Sequence, residues 1–273
     1  MTTRLEAIAD AFSDTAERYD AFAVDHPNLT RMRGKVYEHV TRIVPAGSRI
    51  LELNAGTGTD AVELARRGYQ VHATDVAPGM LARLAIKAAD PSLDGRVTWE
   101  EASYTDLDAI GGGPYDAVFS NLGGLNCTAD LRPVIRQLPS VLRPGGTVTW
   151  VLMPPICLWE VALAISGQFG LAFRRLRRGG TTAHLEGRSF EVYYFRPARV
   201  AAAFGTGYEL LAVEGLSVIT PTAESKGLAI RHRRVYGALA WLDDRLAGRP
   251  PFHELGDFYI LSMRSATAPG SAG

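Results

Sequence analysis

The segment Ile50-Leu51-Glu52-Leu53-Asn54-Ala55-Gly56-Thr57-Gly58-Thr59-Asp60-Ala61 reads as a strand, a glycine turn and the start of a helix. Gly56 and Gly58 allow the backbone to approach a ligand closely, and the helix that follows offers unpaired N–H groups at its N-terminus. The spacing Gly56-x-Gly58-x-x-Ala61, with Asp75 nineteen residues beyond Gly56, also satisfies the dinucleotide-binding fingerprint. In either reading Asp75 ends the second strand and accepts hydrogen bonds from two ribose hydroxyls. Glu52 discriminates between them. Four residues before Gly56, its carboxylate would repel the pyrophosphate of a dinucleotide but attract a ligand carrying an ammonium and a sulfonium.

These residues resemble the class I S-adenosylmethionine-dependent methyltransferases, whose first motif is an acidic residue, three residues, then Gly-x-Gly. Thr74-Asp75-Val76-Ala77-Pro78-Gly79-Met80 is similar to the family's second motif. Tyr115-Asp116-Ala117-Val118-Phe119-Ser120-Asn121 resembles its fourth strand, and Leu142-Arg143-Pro144-Gly145-Gly146 the turn before its fifth. The likeness covers residues 12 to 152, and the last strands more loosely. It implies S-adenosyl-L-methionine as cofactor, with Glu52, Gly56, Thr57 and Gly58 at the methionine moiety, Asp75 at the ribose, and Val76 and Met80 flanking the adenine. Asn54 stands where most members have glycine and puts an amide beside the carboxypropyl arm. Ser103 and Tyr104 align where the family reads Gly-Asp-Ala, so Ser103 takes over as acceptor for the adenine amino group. Tyr19 either closes over the cofactor, as in many members, or packs as a core tyrosine of an amphipathic helix.

Methyl transfer from a sulfonium is an in-line displacement in which positioning supplies much of the rate. Acceptors can also need a base from His, Asp, Glu or Tyr. The loop Asn121 to Cys127, which by the resemblance faces the methyl donor, lacks the Asn/Asp-Pro-Pro-Tyr/Phe signature of members that methylate amino groups of DNA, RNA or glutamine. Asn121 and Asn126 either position cofactor or acceptor or serve as turn residues. Substrate candidates beyond the loop are Trp159, His184, Tyr193 and Tyr194, with His184 the candidate base; core packing, or a loop position for His184, is the alternative for each. Arg174, Arg175, Arg177 and Arg178 are either a solvated face or a clamp for a carboxylate or phosphate. Arg231, Arg233 and Arg234 pose the same choice. The six histidines and two cysteines show no metal-ligand spacing, so no metal site is expected.

Positioning these groups requires strands alternating with helices: strands over Arg49 to Leu53, Gln70 to Thr74, Arg96 to Glu100, Tyr115 to Ser120 and Thr147 to Leu152, with helices over Asp60 to Arg67, Pro78 to Ala89 and Leu131 to Leu142. That rhythm means an α/β fold with a doubly wound, Rossmann-like, mostly parallel sheet; the resemblance adds an antiparallel last strand. Ile8, Phe12 and Ala16, then Val36, Val40 and Ile43, recur at helical spacing and predict N-terminal helices. The expected segments are N-terminal helices over 1–48, a cofactor core over 49–153, an inserted cap over 154–206, last strands with a helical insertion over 207–264, and a disordered tail over 265–273.

The 273 residues carry 29 Lys+Arg against 29 Asp+Glu. That balance argues against a nucleic-acid substrate, which needs surplus cationic charge. Residues 49–150 hold 9 basic and 12 acidic side chains, whereas 154–206 hold 7 and 3, so the cap's excess predicts an anionic acceptor. Met1 to Asp10 lacks the basic start and apolar core of a signal peptide, and Pro154, Pro155 and Glu160 interrupt the most apolar stretch. With only Cys127 and Cys157, a cytoplasmic protein off the membrane is expected. The leading reading is methyl transfer to an O, C or N atom of a small molecule of the secondary-metabolite kind. An NAD(P)-dependent oxidoreductase, or a cofactor-binding protein with a cyclase-like or regulatory role, are the alternatives.

Overall fold

The computed structural model describes residues 4–177, 179–185, 187–223 and 226–266. Two helices open it, α1 (Arg4–Ala23) and α2 (Pro27–Ile43). Pro27 suits the first turn of α2, and His26 caps it by accepting from the Leu29 amide at 3.4 Å. The alternating core follows as β1 (Arg49–Leu53), α3 (Thr59–Arg66), β2 (Gln70–Asp75), α4 (Pro78–Ala88), β3 (Val97–Glu101), β4 (Tyr115–Ser120), α5 (Arg132–Val141) and β5 (Leu142–Leu152). Next come the short helices α6 (Leu158–Val161) and α7 (Phe169–Ala172), then the hairpin β6 (Thr181–Leu185) and β7 (Arg188–Val192). The chain returns to the core through α8 (Pro197–Phe204), β8 (Tyr208–Leu216), α9 (Lys226–Arg231), α10 (Arg233–Leu246) and β9 (Phe258–Ser265).

Seven strands form one sheet in the order β3-β2-β1-β4-β5-β9-β8. All pairings from β3 to β5 are parallel, and β9 runs antiparallel between β5 and β8. Both faces of β1 are covered: Ile50 packs with Met32, Val36 and Leu64 of α2 and α3, while Leu51 and Leu53 pack with Leu138, Val200 and Trp150. Strand order reverses between β1 and β4, which is where an open parallel sheet holds its ligand.

The expected strands and helices of the core are present within a few residues. Two regions differ. The helix read over Arg231 to Leu246 divides at His232, whose ψ of 56° interrupts the helix between α9 and α10. The expected cap holds an antiparallel hairpin, in which Gly187 at φ +76° makes the tight return. Arg178 and residues 267–273, most of the expected tail, lie outside the described residues. No helix among the described residues is long and apolar enough to cross a membrane.

Helix α1 lies across α4 at a point that admits only glycine. A Cβ on Gly79 would stand 2.6 Å from the Ser13 carbonyl oxygen, and the Gly79 amide donates to Ser13 Oγ at 3.1 Å. This contact brings α1 over the carboxyl ends of the parallel strands.

Candidate active site

After β1 the chain bends through Asn54 at φ +57°, a left-handed conformation that Asn tolerates better than most side chains. Asn54 thus fills a position where glycine is usual, and the opposing loop accommodates it: a Cβ on Gly124 would lie 2.5 Å from the Asn54 side chain. Gly56 follows at φ +55° and faces Met80 Sδ 4.0 Å away. At the end of β2, Asp75 binds the loop with both oxygens, accepting from the Gly56 amide at 2.8 Å and the Ala77 amide at 2.9 Å. Burial pushes its carboxyl above the ordinary aspartate range, while the Ala77, Gly56 and Val76 amides pull it down. A carboxylate offers about four acceptor positions, so two remain for the hydroxyls of a ribose.

These residues border a cavity of about 240 Å³ whose wall includes Tyr19, Asn54, Gly56, Asp75, Val76, Met80, Tyr104 and Asn121. Most of the cofactor candidates therefore converge on one space. Asn121 is 7% exposed, and its Nδ2 has no hydrogen-bond partner among the described residues while its Oδ1 accepts from the Leu122 amide. That buried donor on the wall, the ribose-ready Asp75 and the side-chain-free Gly56 fit an adenosyl amino acid.

Glu52, Thr57, Gly58 and Ser103 are not part of this wall. Strand alternation turns Glu52 toward α2 and α3, where it is buried near Asp60 and Arg33 instead of lining the ligand space. Burial and the Asp60 charge push its carboxyl well up, against the pull of Arg33. A cationic ligand above the loop favours the ionised form, and an anionic pyrophosphate would disfavour it further. Gly58, at φ +76°, belongs to the turn: a Cβ there would meet Leu84 at 2.6 Å. Ser103 Oγ binds the Thr105 amide at 3.1 Å and the Thr105 hydroxyl at 2.7 Å, closing its own turn.

Thr57 has a part that its position in the motif did not show. Its hydroxyl donates to Asp20 of α1 at 2.6 Å, and Lys87 of α4 donates to Asp20, Thr57 and Thr59 at 2.8, 3.0 and 3.2 Å. Burial alone would raise the Asp20 carboxyl, but the Lys87 and Thr57 hydrogen bonds hold it below the usual range. This latch ties α1 to the glycine loop and sets Tyr19 on the cavity wall. Sequence reading missed Asp20 and Lys87; their only signal was a lysine in a chain whose bases are nearly all arginine.

The other side of the cavity is apolar. Ile8 and Phe12 come from α1, Phe190 and Val192 from β7, and Leu122 and Met153 from the loops after β4 and β5. The substrate candidates lie elsewhere. Asn126 is fully buried; its Oδ1 accepts from the Met153 amide at 3.0 Å and its Nδ2 donates to the Tyr193 carbonyl at 2.5 Å. It clamps the base of the hairpin and does not reach the cavity. In β7 alternation sends Phe190 and Val192 inward, so His184, paired across the ladder with Ser189, falls on the opposite face, exposed and bonded to Ser189 Oγ at 2.8 Å. Tyr193 follows Val192 off the wall, Tyr194 packs under Arg175 with 5.4 Å from guanidinium carbon to ring centre, and Trp159 is half-buried away from the cavity. No histidine is among the described lining residues.

Two of the four arginines of the expected anion clamp, Arg174 and Arg175, are paired within the protein. Arg174 and Arg175 both bind Glu160, at 2.8 and 2.6 Å, and Arg175 also binds the Asp257 carboxylate at 2.6 Å. Burial would raise the Glu160 carboxyl, but these guanidiniums hold it below the usual range; Asp257, fully enclosed with one arginine, is pushed above it. Among the described residues, Cys157, Glu160 and Asp257 are the grouping with metal-ligand spacing, their ligating atoms within 4.8 Å of one another. The Arg175 guanidinium occupies that site as its cation.

Comparison with known proteins agrees with this geometry. The family described as methyltransferase domain matches residues 50–146. A malonyl-(acyl-carrier protein) O-methyltransferase of Halorhodospira halophila is 30% identical over 260 residues, covering 88% of this chain and 80% of that protein. The tRNA 5-carboxymethoxyuridine methyltransferase of Escherichia coli is 23% identical over 265 residues, covering 93% and 95%. In structure, the DhpI-SAM-HEP complex superposes with a TM-score of 0.60 at 18% identity, over 97% of this chain and 99% of that one. The nicotinamide reading of the glycine spacing therefore gives way: the chain belongs to the class I S-adenosylmethionine-dependent methyltransferases, and S-adenosylmethionine is its cofactor.

Proposed function

We propose that this methyltransferase acts on a small molecule with an uncharged, apolar body, of the secondary-metabolite kind, at an O, N or C atom. The observation that carries this reading is the cavity wall opposite Asp75, built from Ile8, Phe12, Phe190, Val192, Leu122 and Met153. Asp75 is the only charged group among the described lining residues, and its free acceptor positions suit the cofactor ribose. The relatives differ in acceptor class, so membership of the family leaves the acceptor open and the wall must decide. A tRNA acceptor is read through cations that neutralise its phosphates, and this wall offers none. An anionic small molecule, which the cap's charge excess favoured, is supported less, because Arg174 and Arg175 are paired internally and no cation is among the described lining residues.

Bound at this loop, S-adenosylmethionine supplies an electrophilic methyl group on a sulfonium. Asp75 would hold the ribose, Val76, Met80 and Tyr104 the adenine, and Asn54, Gly56 and Asn121 the amino-acid end. With no histidine on the described wall, the protein's own contribution is placement of the acceptor and exclusion of water by α1 and the hairpin.

The reading is tested with methyl-tritiated cofactor and an extract of the source organism separated into small-molecule, tRNA and protein fractions. Label is expected in the solvent-extractable small-molecule fraction. Label confined to tRNA or to protein would overturn the proposal.

A further inference from the structure

Most of the apolar wall comes from α1 and the hairpin, with Leu122 and Met153 added from the loops after β4 and β5. Arg188, Phe190 and Val192 share one face of β7, at positions i, i+2 and i+4; Arg188 and Phe190 meet α1, and Val192 lines the cavity. Phe190 meets Phe12 with ring centres 5.5 Å apart. Arg188, beside the hairpin turn, binds Asp10 at 3.0 Å and Asp14 at 3.1 Å, two residues one helical turn apart on α1. The base of the hairpin is fixed to the core by Asn126, whereas its tip is bound to α1. Helix α1 in turn is latched to the cofactor's glycine loop by Asp20, Thr57 and Lys87.

From this connectivity we infer that Arg188 is a positioning residue: it joins the acceptor-side wall to α1, so that the acceptor site is completed only when α1 is docked on the cofactor loop. Binding is then ordered, cofactor before acceptor, and the two ligands strengthen each other through α1 without touching Arg188. This rests on the apolar-acceptor reading above, because Phe12, Phe190 and Val192 form the wall in question. The three charged side chains are 43 to 52% exposed, so each ion pair is worth about two- to five-fold at most and salt screens it. Binding linkage is reciprocal, which gives the inference a measurable signature.

The probe is N-phenyl-1-naphthylamine, a neutral, apolar aromatic fluorophore, titrated with and without saturating S-adenosylhomocysteine. Wild type is expected to bind it at least three-fold more tightly with S-adenosylhomocysteine present. Arg188→Gln should lose about three- to ten-fold of affinity for the probe in that complex, while S-adenosylhomocysteine alone binds within two-fold of wild type by calorimetry. The Asp10→Asn/Asp14→Asn variant should match it, and combining all three changes should add nothing further. In 1 M NaCl the gap between wild type and Arg188→Gln should close. Equal probe binding by wild type and both variants, or an equal loss of S-adenosylhomocysteine affinity, would overturn the role of Arg188. If the wild-type complex does not bind the probe at all, the apolar-acceptor reading fails and this inference with it.

Discussion

Replacing Asp75 with alanine is expected to weaken binding of S-adenosylhomocysteine by about two to three orders of magnitude. Two losses combine. The carboxylate receives the Gly56 and Ala77 amides at 2.8 and 2.9 Å, and hydrogen bonds to a charged group are worth about 1.5–3 kcal/mol each. Without it the glycine loop, held at positive φ at Asn54 and Gly56, loses both carboxylate bonds and keeps the Ala55 amide on the Thr74 carbonyl of β2 at 3.0 Å. The ribose hydroxyls lose their acceptor as well. Asp75→Asn keeps one acceptor oxygen and should fall between wild type and alanine. Calorimetric titration with S-adenosylhomocysteine ranks the three; unchanged affinity in Asp75→Ala would remove Asp75 from the site.

The second large effect concerns stability. Arg175→Met leaves Glu160 and Asp257 buried, 6% exposed each, with Arg174 alone to serve Glu160. Removing one partner of a buried ion network costs about 3–5 kcal/mol. For a protein of this size that lowers Tm by roughly 10 °C. The pH dependence follows from the sign of the shifts. In wild type Glu160 is held below its unfolded-state pKa, so its contribution is present at neutral pH and lost as pH falls through the lowered value. In Arg175→Met Glu160 loses part of what holds it down and Asp257, already raised in wild type, rises further without its guanidinium, so the added destabilisation is relieved as the two carboxyls protonate on acidification. The Tm difference between wild type and variant should therefore shrink from pH 8 to pH 5. A constant difference across that range would refute the electrostatic account of Arg175.

What the sequence disclosed was whatever depends on backbone conformation near a motif. Gly56, Gly58, Asp75 and the alternation around them were legible because a loop needing positive φ and a strand-end carboxylate leave local marks. Asn54 was legible as a departure, but not its fit against Gly124, seventy residues on. Glu52 was legible as a strand residue, but not that it is buried near Asp60, Arg33 and Asp75 and is not part of the cavity wall. The substrate side was hardly legible. The hairpin lacks the β-branched runs that announce strands, and without its register nothing separates Phe190 and Val192, which line the cavity, from His184, Tyr193 and Tyr194, which do not. The arginine cluster had the same defect: its partner Asp257 is 82 residues from Arg175, so composition counted as available a charge that folding neutralises. Pairings of that range, like Asp20 with Lys87, are set by topology and leave no periodic trace.

We place the cofactor, with the acceptor beside it, in the cavity between the ends of β1, β2 and β4 and the roof formed by α1 and the hairpin. A crystal structure of the complex with S-adenosylhomocysteine measures this directly. Ribose hydroxyls are expected on the Asp75 carboxylate, adenine between Val76, Met80 and Tyr104, Tyr19 over the ligand, and the sulfur facing the wall made by Phe12, Phe190 and Val192. Ligand density anywhere else, or a ribose bound without Asp75, would contradict it.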